Sequence, residues 1–74
     1  MITPVYVGID IAKHHLDIAM PGRAPWRIAN EGAAIAAFVA SLDAPIVVFE
    51  ATGVYDAVLR RALEASGIVY ARVN

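Results

Sequence analysis

The first third of the chain predicts three short β-strands. Val5 to Asp10 is a β-branched and aromatic run without proline, too short for a helix, and predicts the first strand. From His15 to Met20 apolar and polar residues alternate, which is typical of a half-buried strand. Residues 21 to 25 hold two prolines and a glycine and predict a loop, after which Trp26 to Ala29 alternates again. Three such strands in succession predict an antiparallel meander.

At Asn30 the spacing of apolar positions changes from two residues to the spacing of a helix. We expect Asn30 to cap a helix that runs from about Glu31 to Leu42. Pro45 cannot continue that helix, and Ile46 to Phe49 is a continuous apolar run. Such a run predicts a strand buried on both faces, which Glu50 closes.

A second helix and a fifth strand complete the predicted fold. Thr52 and Gly53 are expected to cap the helix, and Gly67 to end it in the left-handed conformation. Its apolar stripe would be Tyr55, Leu59, Ala62 and Leu63. Ile68 to Val73 predicts the last strand, which gives the order βββαβαβ. Right-handed crossovers would make strands one, four and five parallel, with the hairpins on the other edge of a mixed α/β sheet.

The composition predicts one small domain with incomplete cover. The 74 residues are 59% apolar and 18% charged, against about 45–50% and about 25% in ordinary soluble domains. A chain this short buries only about 60% of its unfolded surface, so we expect an exposed apolar patch and self-association into a homo-oligomer. The longest apolar run, Ala33 to Ala40, is far below the length of a membrane span, and no basic, apolar leader begins the chain. We therefore expect a cytoplasmic protein that does not interact with a membrane.

Asp10 and Glu50 are the candidate catalytic and metal-binding residues. Each closes an apolar strand, and parallel neighbouring strands would bring both carboxylates to one end of the sheet. Two close carboxylates repel each other unless a cation lies between them, and Mg²⁺ or Mn²⁺ takes such oxygen ligands. The absence of cysteine excludes thiolate ligands. The plainer alternative is that these strands simply end in polar residues.

The charge pattern gives only local candidates for nucleic-acid contact. A net charge of −1 provides no global attraction to DNA or RNA. Lys13, Arg23 and Arg27 are nevertheless close in sequence and suit contacts with a phosphodiester backbone. Thr52 and Gly53, at the expected start of a helix, suit a phosphate. The alternative for the three basic residues is that they are scattered surface charges. The alternative for Thr52 and Gly53 is that they form an ordinary helix cap.

Two stretches, VGIDIAKHHLDIAM and VVFEATGVYDAVLRRALEASGIVYARVN, carry a family resemblance across nearly the whole chain. The pattern G-I-D-x-x-K, then F-E-A-T-G-x-Y and a final V-N, resembles the amino-terminal half of the DEDD-motif transposases of bacterial insertion sequences. That family includes pilin-gene inverting recombinases and members guided by a bridge RNA. The resemblance implies that residues 1–74 are the amino-terminal part of a RuvC-like, ribonuclease-H-like domain, incomplete at its C-terminal end and without a second domain in this chain.

The resemblance also implies an activity for the parent protein. Asp10 would be the first acid and Glu50 the second acid of a DEDD site that binds Mg²⁺ or Mn²⁺ for DNA strand cleavage and transfer. The last two aspartates and a serine nucleophile are expected beyond Asn74, so the chain alone would be inactive. DNA, and in guided members a bridge RNA, would be the partners, and the location would be the bacterial nucleoid.

Two other readings stay open. Actin-like ATPases and sugar kinases also have an acid that closes the first strand, and they bind nucleotide phosphates in the hairpin turn that follows. Their turns usually carry glycine with Thr or Ser, whereas Ile11 to His14 has none of these residues. The second reading is a noncatalytic assembly module, which requires only the apolar composition and would not respond to a divalent metal.

Overall fold

The computed structural model of the chain describes residues 4–74. It is an α/β fold with five strands and two helices in the predicted order βββαβαβ. The strands are β1 (Val5–Ile11), β2 (His15–Met20), β3 (Arg23–Ala29), β4 (Pro45–Glu50) and β5 (Val69–Val73). The helices are α1 (Gly32–Ala40) and α2 (Ala57–Ala65). Neither helix is long enough to cross a membrane, and no other segment of residues 4–74 forms a membrane-spanning helix.

The strands form one mixed sheet in the spatial order β3-β2-β1-β4-β5. β1 pairs with β2 and β2 with β3 in antiparallel fashion, whereas β1, β4 and β5 run parallel. β1 therefore lies between the hairpin and β4, as the sequence predicts. Since β1, β4 and β5 point the same way, their carboxyl ends share one edge of the sheet.

Both helices pack on one face of the sheet and contact each other there. Alternate strand residues point into this layer and form the core with the helices. The core residues are Val7, Ile9, Ile11, Leu16, Ile18, Ile35, Phe38, Val39, Val47, Phe49, Leu59 and Leu63. The opposite face, which we call the open face, is covered by no helix in the described part of the chain. Ile46 and Val48 point to it and are half-buried, so the prediction that β4 is buried on both faces is wrong.

β3 begins three residues earlier than predicted. Arg23 already pairs with Met20, and the pairing then shifts so that Trp26 lies opposite Ile18. β3 thus holds one extra residue, which is a β-bulge. Pro25 is tolerated because β3 is an edge strand and because the bulge interrupts the hydrogen-bond ladder.

Both helices begin later than the sequence indicates. Glu31, not Asn30, is the N-cap of α1, and α1 ends at Ala40 rather than at Leu42. The Asn30 side-chain amide instead donates to the carbonyl oxygens of Ala12 and Tyr55, each at 2.9 Å. The predicted cap at Asn30 is wrong because its side chain joins two distant loops, and a local capping pattern does not contain these contacts.

The N-cap of α2 is Asp56, and the helix begins at Ala57. Thr52 and Gly53 therefore do not cap it, and Tyr55 precedes the helix and is 42% exposed instead of belonging to its apolar stripe. Gly53 has a φ of 65° and turns the loop that follows β4.

The C-terminal end of α2 agrees with the sequence prediction. Gly67 adopts the left-handed conformation with a φ of 67°. The N–H of Ile68 donates to the Leu63 carbonyl at 2.9 Å, and the N–H of Gly67 donates to the Glu64 carbonyl at 3.1 Å. These two bonds form a Schellman motif, which ends the helix and directs the chain into β5.

Candidate acidic site

Asp10 and Glu50 lie side by side at the carboxyl edge of the sheet. Gly8 is opposite Val48 and Ile9 is opposite Phe49, so Asp10 and Glu50 follow directly at the next step of two adjacent strands. Because side chains alternate between faces, both acids point to the open face, away from the core. Both residues are exposed. The structure thus brings the two sequence-predicted acids to one place.

Both acids line a groove of about 570 Å³, which we call the acid groove. Its floor is formed by small and apolar residues of the central strands, and its rim by residues from the loops and neighbouring strands. The lining includes Gly8, Asp10, Asp17, Ala19, Pro25, Val48, Glu50, Thr52 and Val73. Three carboxylates therefore share one shallow apolar surface that is open to a ligand.

Asp17 is the acid of this groove that sequence reasoning missed. It lies directly opposite Asp10 in the β1–β2 pairing, a register that is not visible in the sequence. Arg27 of β3 donates two hydrogen bonds to the Asp17 carboxylate, from Nε to Oδ1 at 2.8 Å and from Nη2 to Oδ2 at 3.1 Å. These bonds from Arg27 hold the pKa of Asp17 below its ordinary value. The alternating pattern of β2 indicated only that Asp17 faces away from the core.

The basic residues predicted to contact nucleic acid occupy three different environments. Lys13 is exposed in the turn after β1, at the same edge of the sheet as Asp10. Arg27 lies on the open face but is paired with Asp17. Arg23 lies at the other end of the hairpin, where its guanidinium stacks 3.5 Å from the centroid of the Trp26 ring. Arg23 does not line the acid groove.

Thr52 and Gly53 follow Glu50 in the loop between β4 and α2. Thr52 lines the acid groove, and its buried Oγ1 has no hydrogen-bond partner within residues 4–74. Gly53 is exposed. Thr52 and Gly53 were expected to form a phosphate site at the N-terminus of a helix. Because α2 begins only at Ala57, these two residues do not lie at a helix N-terminus.

Asp56 is the second acid that sequence reasoning missed, and its side chain is completely buried. Arg72 Nε donates to its Oδ2 at 2.7 Å and Arg60 Nε to its Oδ1 at 3.0 Å. Burial alone would raise the pKa of Asp56, but the hydrogen bonds from Arg72 and Arg60 outweigh it and hold the pKa below its ordinary value. The Asp56–Arg60 spacing is visible in the sequence, whereas the approach of Arg72 depends on the fold.

The acid groove offers carboxylate oxygens, which suit hard divalent cations such as Mg²⁺ or Mn²⁺. Within residues 4–74, no group of three or more His, Asp or Glu side chains is arranged to hold a metal ion. Asp17 is engaged by Arg27, whereas Asp10 and Glu50 form no ion pair with any residue in the described part of the chain. They would leave most of an octahedral shell to water or other ligands, so binding would be weak.

Comparison with known proteins adds no further assignment. No protein-family model matches the chain, and no curated protein matches it significantly. The candidate site therefore rests on its residues and their geometry.

Proposed function

We propose that this chain is the amino-terminal part of a RuvC-like, ribonuclease-H-like catalytic domain of a DNA transposase or site-specific recombinase. Asp10 and Glu50 supply the first two acids of its divalent-metal site. The observation that carries the proposal is their arrangement: two acids far apart in sequence lie at the same step of adjacent parallel strands, on one face and in one groove. This combination supports a shared cation better than it supports two strands that happen to end in polar residues.

In this proposal, the residues of the chain bind and orient the reacting groups. Asp10 and Glu50 would hold Mg²⁺ or Mn²⁺, and the bound cation would supply Lewis-acid activation of water and charge stabilisation of the phosphoryl leaving group. The apolar floor at Gly8, Ala19 and Val48 lets a nucleic-acid strand approach both carboxylates across the open face.

The substrate in this proposal is DNA, and a bridge RNA is a second candidate partner. Lys13 at the carboxyl edge, with Thr52 and Gly53 in the neighbouring loop, would contact the phosphodiester backbone. Arg27 would add a contact once a phosphate competes with Asp17 for its guanidinium. Arg23 has the least support, because its guanidinium stacks on Trp26 and the residue does not line the acid groove.

Strand cleavage by the full-length protein that contains this chain tests the proposal. We expect Asp10→Asn and Glu50→Gln each to abolish cleavage and to leave the fold intact, because the isosteric amide removes an anionic ligand but little volume. Asp43→Asn is the matched control, since Asp43 is an exposed aspartate at the opposite edge of the sheet. Wild-type cleavage by either active-site variant would refute the proposed role of that acid.

A noncatalytic assembly module is the second candidate, and a specific observation favours it. The open face exposes large apolar side chains: Val69 is 64%, Tyr6 56% and Val73 43% exposed. Such a surface suits a protein partner. A chain that associates through this face but shows no response to Mg²⁺ or Mn²⁺ would support the module over the recombinase.

A further inference from the structure

The buried Asp56 is a charged group that does not line the acid groove. Its carboxylate accepts from Arg60 and Arg72 and, more weakly, from the backbone N–H of Thr52 at 3.4 Å. A fully buried carboxylate is costly unless it is paired and hydrogen-bonded. This one joins three separate parts of the fold: the loop after β4, helix α2 and strand β5.

These three parts meet directly beside Glu50. Thr52 follows Glu50 by two residues, and Arg72 lies on β5 opposite Phe49, the residue that precedes Glu50. Arg72 also approaches the Gly53 carbonyl oxygen, with Nη2 at 3.5 Å. One carboxylate therefore fixes both the chain that leaves Glu50 and the neighbouring strand.

We propose that Asp56 and Arg72 are positioning residues, which hold the end of β4 so that the Glu50 carboxylate stays beside Asp10 in the acid groove. The expected effect on metal binding rests on the proposed metal site, whereas the effect on the position of β4 rests only on the contacts of Asp56 and Arg72. The link between Asp56 and the end of β4 runs through the backbone of β5. Arg72, which directly precedes Val73, is bound to Asp56 through its side chain. The Val73 carbonyl in turn accepts a hydrogen bond of 2.7 Å from the N–H of Ala51, the residue after Glu50.

Arg60 provides a matched control. Like Arg72, it donates one Nε–H to Asp56 and has a side chain about one third exposed, at 36% against 37%. Arg60, however, lies four residues from Asp56 at the start of α2 and ties the carboxylate only to its own helix. A merely structural role for the buried cluster predicts similar effects of Arg60→Gln and Arg72→Gln.

The test compares Arg60→Gln and Arg72→Gln in the 74-residue chain by two readouts. The first is hydrogen exchange at the Ala51 amide without metal, where we expect Arg72→Gln to raise the rate roughly tenfold and Arg60→Gln to leave it within about twofold. The second is Mn²⁺ affinity at Asp10 and Glu50, where loss of a supporting residue typically costs about 10- to 100-fold. We expect that loss for Arg72→Gln alone.

Equal effects of the two variants on Ala51 exchange, or no effect of Arg72→Gln, would overturn the inference. If the wild-type chain binds no Mn²⁺ at Asp10 and Glu50, the proposed function fails, and the exchange rates still decide the positioning role. Should Arg72→Gln fail to fold, Arg72→Lys is the second variant. It keeps the charge but loses the planar fork, so the same increase in Ala51 exchange is expected.

Discussion

At the scale of single residues, Asp56 links the stability of the fold to pH. Its pKa in the folded chain lies below its ordinary value, so the folded state favours the ionised form. The resulting stabilisation is present above the unfolded pKa of about 4 and is lost as pH falls through the folded pKa. Acid should therefore weaken the contact between the loop after β4 and β5.

We expect Asp56→Asn to lower the free energy of unfolding at pH 7 by about 2 kcal/mol, because it removes a charged acceptor of two arginine hydrogen bonds. The difference from wild type should shrink as pH falls below the ordinary aspartate value of about 4 and through the lower pKa of folded Asp56, because the wild-type carboxyl then becomes protonated as well. Urea unfolding at a series of pH values measures this difference in the free energy of unfolding. A difference that stays constant over this range would mean that Asp56 is not charged in the folded chain.

The two acids found from the sequence and the two missed acids differ in what defines them. Asp10 and Glu50 end apolar strands, and a strand end is a local feature that the sequence displays. The place of Asp17 beside Asp10 depends on the register of a hairpin, and the burial of Asp56 depends on the packing of α2 against β5. Neither the position of Asp17 beside Asp10 nor the burial of Asp56 can be predicted from the spacing of neighbouring residues.

At the scale of elements, local rules predicted the strands and the end of α2 but not the helix starts. Alternation and the positions of glycine and proline depend on neighbouring residues, so all five strands were located. Asn30 and Thr52 are good caps by residue type alone, yet the Asn30 side chain bonds to two distant loops and Thr52 lies well before α2. Long-range contacts override intrinsic capping preference at Asn30.

Gly67→Ala tests the best-predicted element boundary. An alanine at a φ of 67° is strained, so we expect a loss of about 1–2 kcal/mol in the free energy of unfolding. Gly32→Ala is the control: an added Cβ meets no atom within 4 Å there, and helix formation favours alanine over glycine. Thermal or urea denaturation compares them. Equal destabilisation by both variants would argue against the left-handed end of α2.

At the scale of the whole molecule, the sheet has one covered face and one open face. The helices bury one set of alternate strand residues, and the other set includes exposed apolar side chains. β5 is also an edge strand whose outer backbone groups pair with no other strand in the described residues. Open apolar faces and free edges promote association between chains.

We therefore expect the 74-residue chain to self-associate through the open face or the β5 edge. Analytical ultracentrifugation across micromolar concentrations should show reversible association that Val69→Lys weakens. Val54→Lys is the control, because Val54 is 78% exposed in the loop after β4 and not in the sheet. A stable wild-type monomer throughout, or equal effects of the two lysines, would contradict this expectation.

The most direct test of the central claim is a titration of the chain with Mn²⁺, followed by paramagnetic line broadening in the backbone NMR spectrum. We predict weak binding, with broadening centred on the amides of Asp10 and Glu50. Asp10→Asn should weaken it by at least about tenfold, since a direct ligand matters no less than a supporting residue, and Asp43→Asn should leave it unchanged. Broadening centred away from Asp10 and Glu50, or broadening there that survives Asp10→Asn undiminished, would contradict the account.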